Sequence, residues 1–265
     1  MKKRLIYSVK IGDYDIPEWV IDSHRLYAED CGADYKLERE TSYAYPTFRA
    51  AMLAIYSQME EFNIINNYKI YLLNLYKEYD EILFLDLDVF VNTRENFFDK
   101  HPLSQGIALG AQRLPHDYAT WVMSDMDSIN TLHYNPSERS ATVKYALVKS
   151  LLFMDGIHTT PKIWNSGVIG INREFIKKLN YFDNDFSSLC KEIVDMKDAG
   201  HMGFFAPRIQ EKFTIHEEAI LSYYTHSRNI PVQELSDDWH HMYWDNTLNR
   251  NAKFIHFINK RFDDL

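Results

Sequence analysis

Glu81-Ile82-Leu83-Phe84-Leu85-Asp86-Leu87-Asp88-Val89-Phe90-Val91 is the most hydrophobic strand the sequence encodes. A near-continuous apolar run of this length predicts a central strand buried on both faces, in a sheet with helices on either side. Two aspartates interrupt the run. In an extended strand, residues two apart point to the same side, so the carboxylates of Asp86 and Asp88 would share one spot at the strand's end. Two like charges so placed repel, and burying them unpaired costs on the order of several kcal/mol. A hard divalent cation removes both penalties, because carboxylate oxygens suit Mg²⁺ or Mn²⁺. Such an ion keeps open positions that a diphosphate can fill. The competing reading is an exposed half-strand whose aspartates point at water. Asp-x-Asp alone is a weak pattern, since Asp125-Met126-Asp127 repeats it. The first copy differs in its setting, with apolar residues 82–85 before it and 89–91 after it.

Around this stretch the chain alternates strands and helices. Residues 5–9 read as a short apolar strand ended by the turn signal Gly12-Asp13. Pro17 fits the first turn of a helix through Trp19, Val20, His24 and Tyr27, with Asp15 as its cap and Cys31-Gly32 as its stop. Residues 34–37 form a second strand, and strand–helix–strand within about forty residues opens a doubly wound α/β sheet. Helical spacing predicts helices over 48–62 and 70–79. Beyond the 79–91 stretch, residues 106–112 and 163–172 read as strands, the latter containing Gly167 and Gly170. Helices are expected at 141–154, 173–179, 185–197 and 217–224, and a late strand at 253–258. The remainder of 113–160 is polar and irregular, as functional loops often are. Repeats, low-complexity segments and linkers are absent from the sequence, so 1–265 reads as one domain.

Composition narrows the function classes. The 38 acidic and 29 basic side chains give a net charge of −9 without a basic run. That argues against a nucleic-acid binder held by phosphate neutralisation and against a polybasic membrane-surface helix. An anionic ligand would need a few local cations or a metal. Cys31 and Cys190 are the two cysteines, so a reducing compartment is expected. The N-terminus lacks a signal peptide's apolar region and cleavage site, and no apolar stretch reaches the ~18 residues that span a bilayer. A soluble, cytoplasmic protein is the expectation.

The 79–91 stretch resembles the Asp-x-Asp segment of nucleotide-sugar glycosyltransferases with the GT-A fold, of the glycogenin and lipopolysaccharide galactosyltransferase type (family 8). The resemblance continues through most of the chain as separate motifs in the right order. It implies an α/β, Rossmann-like, mixed but mainly parallel central sheet flanked by helices. Residues of about 1–112 would bind the nucleotide, and about 113–265 would form the acceptor-binding and C-terminal part. Asp86 and Asp88 would hold Mn²⁺ or Mg²⁺ against the donor diphosphate, with Leu87 beside the donor. Lys69 stands where the family usually has a donor-binding arginine, and lysine keeps the charge but loses the bidentate fork. Asn165-Ser166-Gly167 matches an Asn-Ser-Gly strand that contacts the donor sugar, where a bulky side chain would fill the sugar pocket. By itself, Gly167 reads better as a bulge or a close strand contact, and its company with Asn165 and Ser166 is what favours the site.

His216-Glu217-Glu218-Ala219-Ile220-Leu221 opens a helix. It is similar to the family's Asp-Gln-Asp-x-Leu segment and to the His-Asp-Glu-x-x-Leu segment of blood-group-type retaining transferases. On that match Glu218 is the nucleophile or transition-state stabiliser, and Glu217 a supporting or acceptor-hydroxyl contact. Taken alone, Glu217 equally suits a helix N-terminus, where an acidic group gains about 0.3–1 kcal/mol. His256-Phe257-Ile258-Asn259-Lys260 resembles the C-terminal His-Phe-x-Gly-x-Lys-Pro-Trp motif, which implies His256 as third metal ligand and Lys260 as a diphosphate contact. Here the spacing is shorter and no Pro-Trp follows. Tyr7, Ser8, Val9 and Tyr14 sit where the family binds nucleobase and ribose. Residues 239–244 could be an aromatic acceptor platform or a packed loop, and 113–160 with 234–250 would select the acceptor.

The resemblance therefore implies transfer of a hexose from a UDP-sugar to a hydroxyl acceptor, a glycan, with retention. Inversion would follow if Glu217, Glu218 or Asp125 instead acted as base on the acceptor. One rival is a nucleotidyltransferase or sugar-nucleotide pyrophosphorylase, which should carry a glycine-rich basic loop that Lys10-Ile11-Gly12-Asp13 poorly matches. The other is a non-catalytic carbohydrate-binding domain.

Overall fold

The structure, a computed structural model, describes residues 2–112, 136–199, 205, 207–244 and 247–265. Asp125 and the 113–135 part of the expected acceptor loop lie outside the described residues. β1 (Arg4–Lys10) leads through α1 (Glu18–Cys31) to β2 (Asp34–Arg39), which pairs parallel to β1. α1 buries Val20, Ile21, His24, Tyr27, Ala28 and Cys31, the spacing of one helix face. Pro17 stands at its N-cap with no side-chain capping bond, so Asp15 does not cap it. α2 (Ala44–Ile55) and α3 (Glu61–Leu75) replace the helices expected at 48–62 and 70–79. The chain turns extended at Tyr56, and Met59 enters the core between them.

β3 (Glu81–Leu85) is buried at every position. Ile82 and Phe84 pack into one core, Leu83 and Leu85 into the other, as a strand covered on both faces requires. With β5 (Ile107–Ala111), β6 (Trp164–Asn172) and β7 (Val232–Glu234), the six-stranded sheet has the order β2-β1-β3-β6-β5-β7. β6 runs antiparallel to β3 and β5, while the other neighbours pair parallel, giving the mixed, mainly parallel sheet expected. α2 and α3 cover one face with α5 (Pro136–Met154), α6 (Arg173–Leu179), α7 (Phe186–Ala199) and α9 (Glu217–Ser227). α1 and the short α4 (Phe97–Lys100) cover the other, and α8 (Pro207–Gln210) packs near α5.

The 81–91 run is not one strand. It leaves the central sheet at Asp86, whose amide donates to the Gly167 carbonyl of β6 (2.8 Å). Val89 N then donates to Asp86 O (3.0 Å), closing a turn. β4 (Val89–Val91) joins a second sheet, β4-β9-β8, with β8 (His241–Tyr243) and β9 (Phe254–Phe257). The Asp88 carbonyl accepts from Phe257 N (2.8 Å). The two aspartates therefore sit on a turn slung between two sheets, and strand alternation is not what brings them together. Among the described residues, no helix is long and apolar enough to cross a membrane.

Candidate active site

The turn faces β9, where His256 pairs with Val89, next to Asp88. One ligand atom each from Asp86, Asp88 and His256 lies within 4.8 Å of the others. His256 Nε2 is 3.3 Å from Asp88 Oδ1 and 4.0 Å from Asp86 Oδ2. Two carboxylates and an imidazole make a donor set for Mn²⁺ or Mg²⁺. Gly167 forms the floor: a Cβ there would lie 2.3 Å from His256 Cε1, so only glycine lets the ring lie flat on β6. The residues fit a divalent cation. Gly167 consequently serves the histidine, where the sequence had suggested room for a sugar.

Two lysines balance the acids. Lys69, buried on α3, reaches both oxygens of Asp86 at 3.3 Å and Glu217 Oε1 at 3.3 Å. Burial alone would lower its ammonium, but Asp86, Glu217 and Glu218 outweigh burial and raise it. Lys260, held in a left-handed backbone conformation, pairs with Asp88 Oδ2. Burial raises the Asp88 carboxyl, and His256 and Lys260 more than reverse this, holding it well below the usual carboxylate range. Burial pushes Asp86 up, Lys69 opposes it and Asp88 reinforces it.

The N-terminus of α9 supplies the second acidic pair. Ser166 Oγ donates to Glu217 Oε1 (2.7 Å), and Ser166 N donates to Glu218 Oε1 (3.0 Å). Glu218 Oε2 accepts from Gln112 Nε2 (2.6 Å) and from the Lys144 ammonium. His216 Nδ1 lies 2.9 Å from Glu217 Oε2. Burial would raise both carboxyls; His216 and Lys69 outweigh it at Glu217, and Lys144 at Glu218, so both lie low and stay ionised. Tyr181 OH donates to Asn67 Oδ1 (3.0 Å) and lies 3.3 Å from the Glu217 carbonyl oxygen, and Asn67 Nδ2 donates to Ile215 O (3.2 Å), fixing the helix start against α3.

The two aspartates, the two glutamates, His216, His256, Ser166, Gln112, Lys69, Lys144 and Lys260 line one cavity of about 380 Å³. Of the residues singled out in the sequence, it brings together Val9, Tyr14, Lys69, Asp86, Leu87, Asp88, Asn165, Ser166, Glu217, Glu218, His256 and Lys260. Tyr7, Ser8 and Gly167 do not line it. Tyr7 donates to the Lys69 carbonyl (2.6 Å) and packs on Tyr76 and Phe84, and Ser8 Oγ pairs with His24 Nδ1 (2.9 Å). Tyr7 and Ser8 are both fully buried, so neither ring nor hydroxyl can touch a nucleobase. Trp244 lines the cavity, whereas Trp239 packs against Phe97 and Phe254; residues 239–244 divide between the two readings offered for them.

Sequence reasoning missed Gln112 and Lys144. A signal existed for Lys144, which lies one helical turn from Ala141 and from Val148, both buried: a lysine on an apolar stripe is out of place unless paired.

No family model matches the chain, and no curated protein matches it. Among solved structures, the WbbM bifunctional glycosyltransferase in its apo form is similar over 97% of this chain and 46% of that one, with a TM-score of 0.52 and 14% identity. The chain thus spans about half the length of that protein. The fold is the GT-A glycosyltransferase fold. Two further structures are more distant. One is the galactosyltransferase LgtC in complex with donor and acceptor sugar analogs (TM-score 0.44, 13% identity, 96% of this chain and 87% of that one). The other is mouse xyloside xylosyltransferase 1 (TM-score 0.45, 11% identity, 96% and 97%). In the GT-A fold found here, the cavity lies beyond the carboxyl ends of β1 and β3, where open α/β sheets bind ligands.

Proposed function

We propose that the chain is a metal-dependent glycosyltransferase of the glycogenin and lipopolysaccharide galactosyltransferase type. It would act in the cytoplasm, moving a hexose from a UDP-sugar to a hydroxyl of a glycan acceptor with retention of configuration. The observation that carries this reading is the meeting, in one cavity, of an Asp-Asp-His trio with two lysines and two ionised glutamates. A divalent cation bound by Asp86, Asp88 and His256 would supply Lewis-acid charge to the donor diphosphate. Lys69 and Lys260 hold positive charge on either side of the aspartates, where the leaving diphosphate gathers negative charge. Val9 and Tyr14 line the wall nearest the end of β1 and would receive the nucleobase, with Leu87 beside the donor. Asn165 and Ser166 would face the donor sugar.

Retention follows the likeness of residues 216–221 to a segment of retaining transferases, with Glu218 as the group beneath the anomeric carbon. Glu217 and Glu218 are held ionised, which suits stabilisation of a cationic sugar, or attack on it.

The test is a panel of nucleotide sugars incubated with the protein, with and without Mn²⁺, scored for donor hydrolysis and for transfer. Metal-dependent turnover is expected, falling on the order of 100-fold or more in Asp88→Ala. Equal turnover without metal, or none with any donor, overturns the reading. Wild-type transfer by Glu218→Gln removes the role given to Glu218, and anomeric NMR of the product decides retention.

A further inference from the structure

Two buried histidines rest on two glycines. His256 lies over Gly167 of β6, and His240, just before β8, lies over Gly110 of the adjacent strand β5. A Cβ on Gly110 would fall 2.0 Å from His240 Nδ1, as one on Gly167 would strike His256. The rings lie within 13° of parallel, with His240 Nε2 3.1 Å from His256 Nδ1. Two strands have given up their side chains to seat this pair.

A histidine that ligates through Nε2 must carry its proton on Nδ1, and that N–H needs an acceptor. His256 turns Nε2 toward Asp86 and Asp88, and the atom facing its Nδ1 is His240 Nε2. We propose that His240 is the positioning residue of the metal site: its Nε2 accepts the His256 Nδ1 proton and fixes the tautomer whose Nε2 lone pair faces the two aspartates. The inference rests on the metal reading of Asp86, Asp88 and His256, and it is independent of glycosyl transfer. One observation accompanies this arrangement: with Nε2 accepting, the His240 proton sits on Nδ1, which has no hydrogen-bond partner among the described residues. An unsatisfied buried N–H is a cost that a histidine kept only for packing would avoid by turning its ring.

Mn²⁺ binding to the full chain, followed by the EPR signal of the free ion, tests this. His240→Phe keeps the ring and removes the acceptor; it should weaken Mn²⁺ binding about 10–100-fold. His240→Gln, whose amide oxygen can accept, should stay within a few-fold of wild type. Thermal melting of the metal-free variants separates misfolding from loss of the bond. In the Zn²⁺-loaded wild type, ¹⁵N imidazole NMR should show His256 protonated at Nδ1 and ligated at Nε2. Unchanged affinity in His240→Phe, equal losses in Phe and Gln, or a His256 proton on Nε2 in the loaded protein each overturn the proposal. If His256→Ala also binds Mn²⁺ like wild type, the metal reading itself has failed.

Discussion

Glu218 has a full complement of donors. Ser166 N serves one oxygen, Gln112 and Lys144 the other, and the Lys144 side chain is 9% exposed. Lys144 therefore does more than decorate a helix. Truncating it would leave a buried carboxylate with neutral donors only, and removing one partner of a buried ion pair costs about 3–5 kcal/mol. Lys144→Ala should lower the urea midpoint accordingly, whereas Lys144→Ala combined with Glu218→Gln should recover most of the loss, because no unpaired charge remains. Strict additivity of the two single changes would show that the pair is not coupled. The same residue shows what a sequence hides. Asp86 and Asp88 stand out because charge interrupts an apolar strand, and Glu217 with Glu218 because they open a helix. Lys144 gives a weaker signal, a lysine on an apolar helix stripe, and its pairing partner, distant in sequence, is what identifies its role.

At the level of elements, β6 decides where the second sheet can dock. Gly167 and Gly170 both admit a ring from the other layer: His256 above the first, Phe97 against the second, where a Cβ would lie 2.5 Å from Cε1. Alanine at either position overpacks the interface, at a cost of about 1–3 kcal/mol. If His256 ligates a metal as proposed, Gly167→Ala should in addition weaken Mn²⁺ binding, because it displaces that ring, while Gly170→Ala should melt earlier with metal affinity intact. Parallel losses of affinity in both variants would remove the special role of Gly167. The elements themselves were legible where their pattern is local. The central position of β3, α1 with its glycine stop, and the helix opening at Glu217 follow from periodicity and end signals. The break after Leu85 does not, because the apolar residues continue through Val91 while the chain turns at Asp86–Val89 and its pairing partner changes from β6 to β9. α3 was misplaced for a related reason. Its buried face includes Asn67 and Lys69, polar residues that read as loop until their partners are known: Ile215 and Tyr181 for Asn67, Asp86 for Lys69.

At the scale of the whole molecule, the two sheets are joined behind the site by His24. It projects from α1, accepts from Ser8 of β1 at Nδ1, and donates through Nε2 to the Val89 carbonyl of β4. Both ring nitrogens are used in the neutral form, and burial pushes the pKa down to about 4. In the unfolded chain an ordinary histidine titrates near 6.5. Above that pH neither state holds the proton, and the contribution of His24 is fully present. As pH falls from about 6.5 toward 4, the unfolded chain takes up a proton that the folded one refuses. Stability then drops by about 1.4 kcal/mol per pH unit, approaching about 3 kcal/mol from this residue. Asp88 and Glu217 are held low as carboxylates, so their contributions are lost at lower pH, as acidification passes below the ordinary carboxylate range. His240 is also depressed by burial and adds to the same histidine window. Urea unfolding measured from pH 7.5 to 4.5 should therefore show a falling free energy. His24→Asn, less stable at pH 7.5, should flatten that fall by the equivalent of about one proton taken up on unfolding. An unaltered pH slope in the variant would mean that His24 titrates normally in the folded state. The joint between the sheets, and with it the turn carrying Asp86 and Asp88, would then not depend on a neutral imidazole.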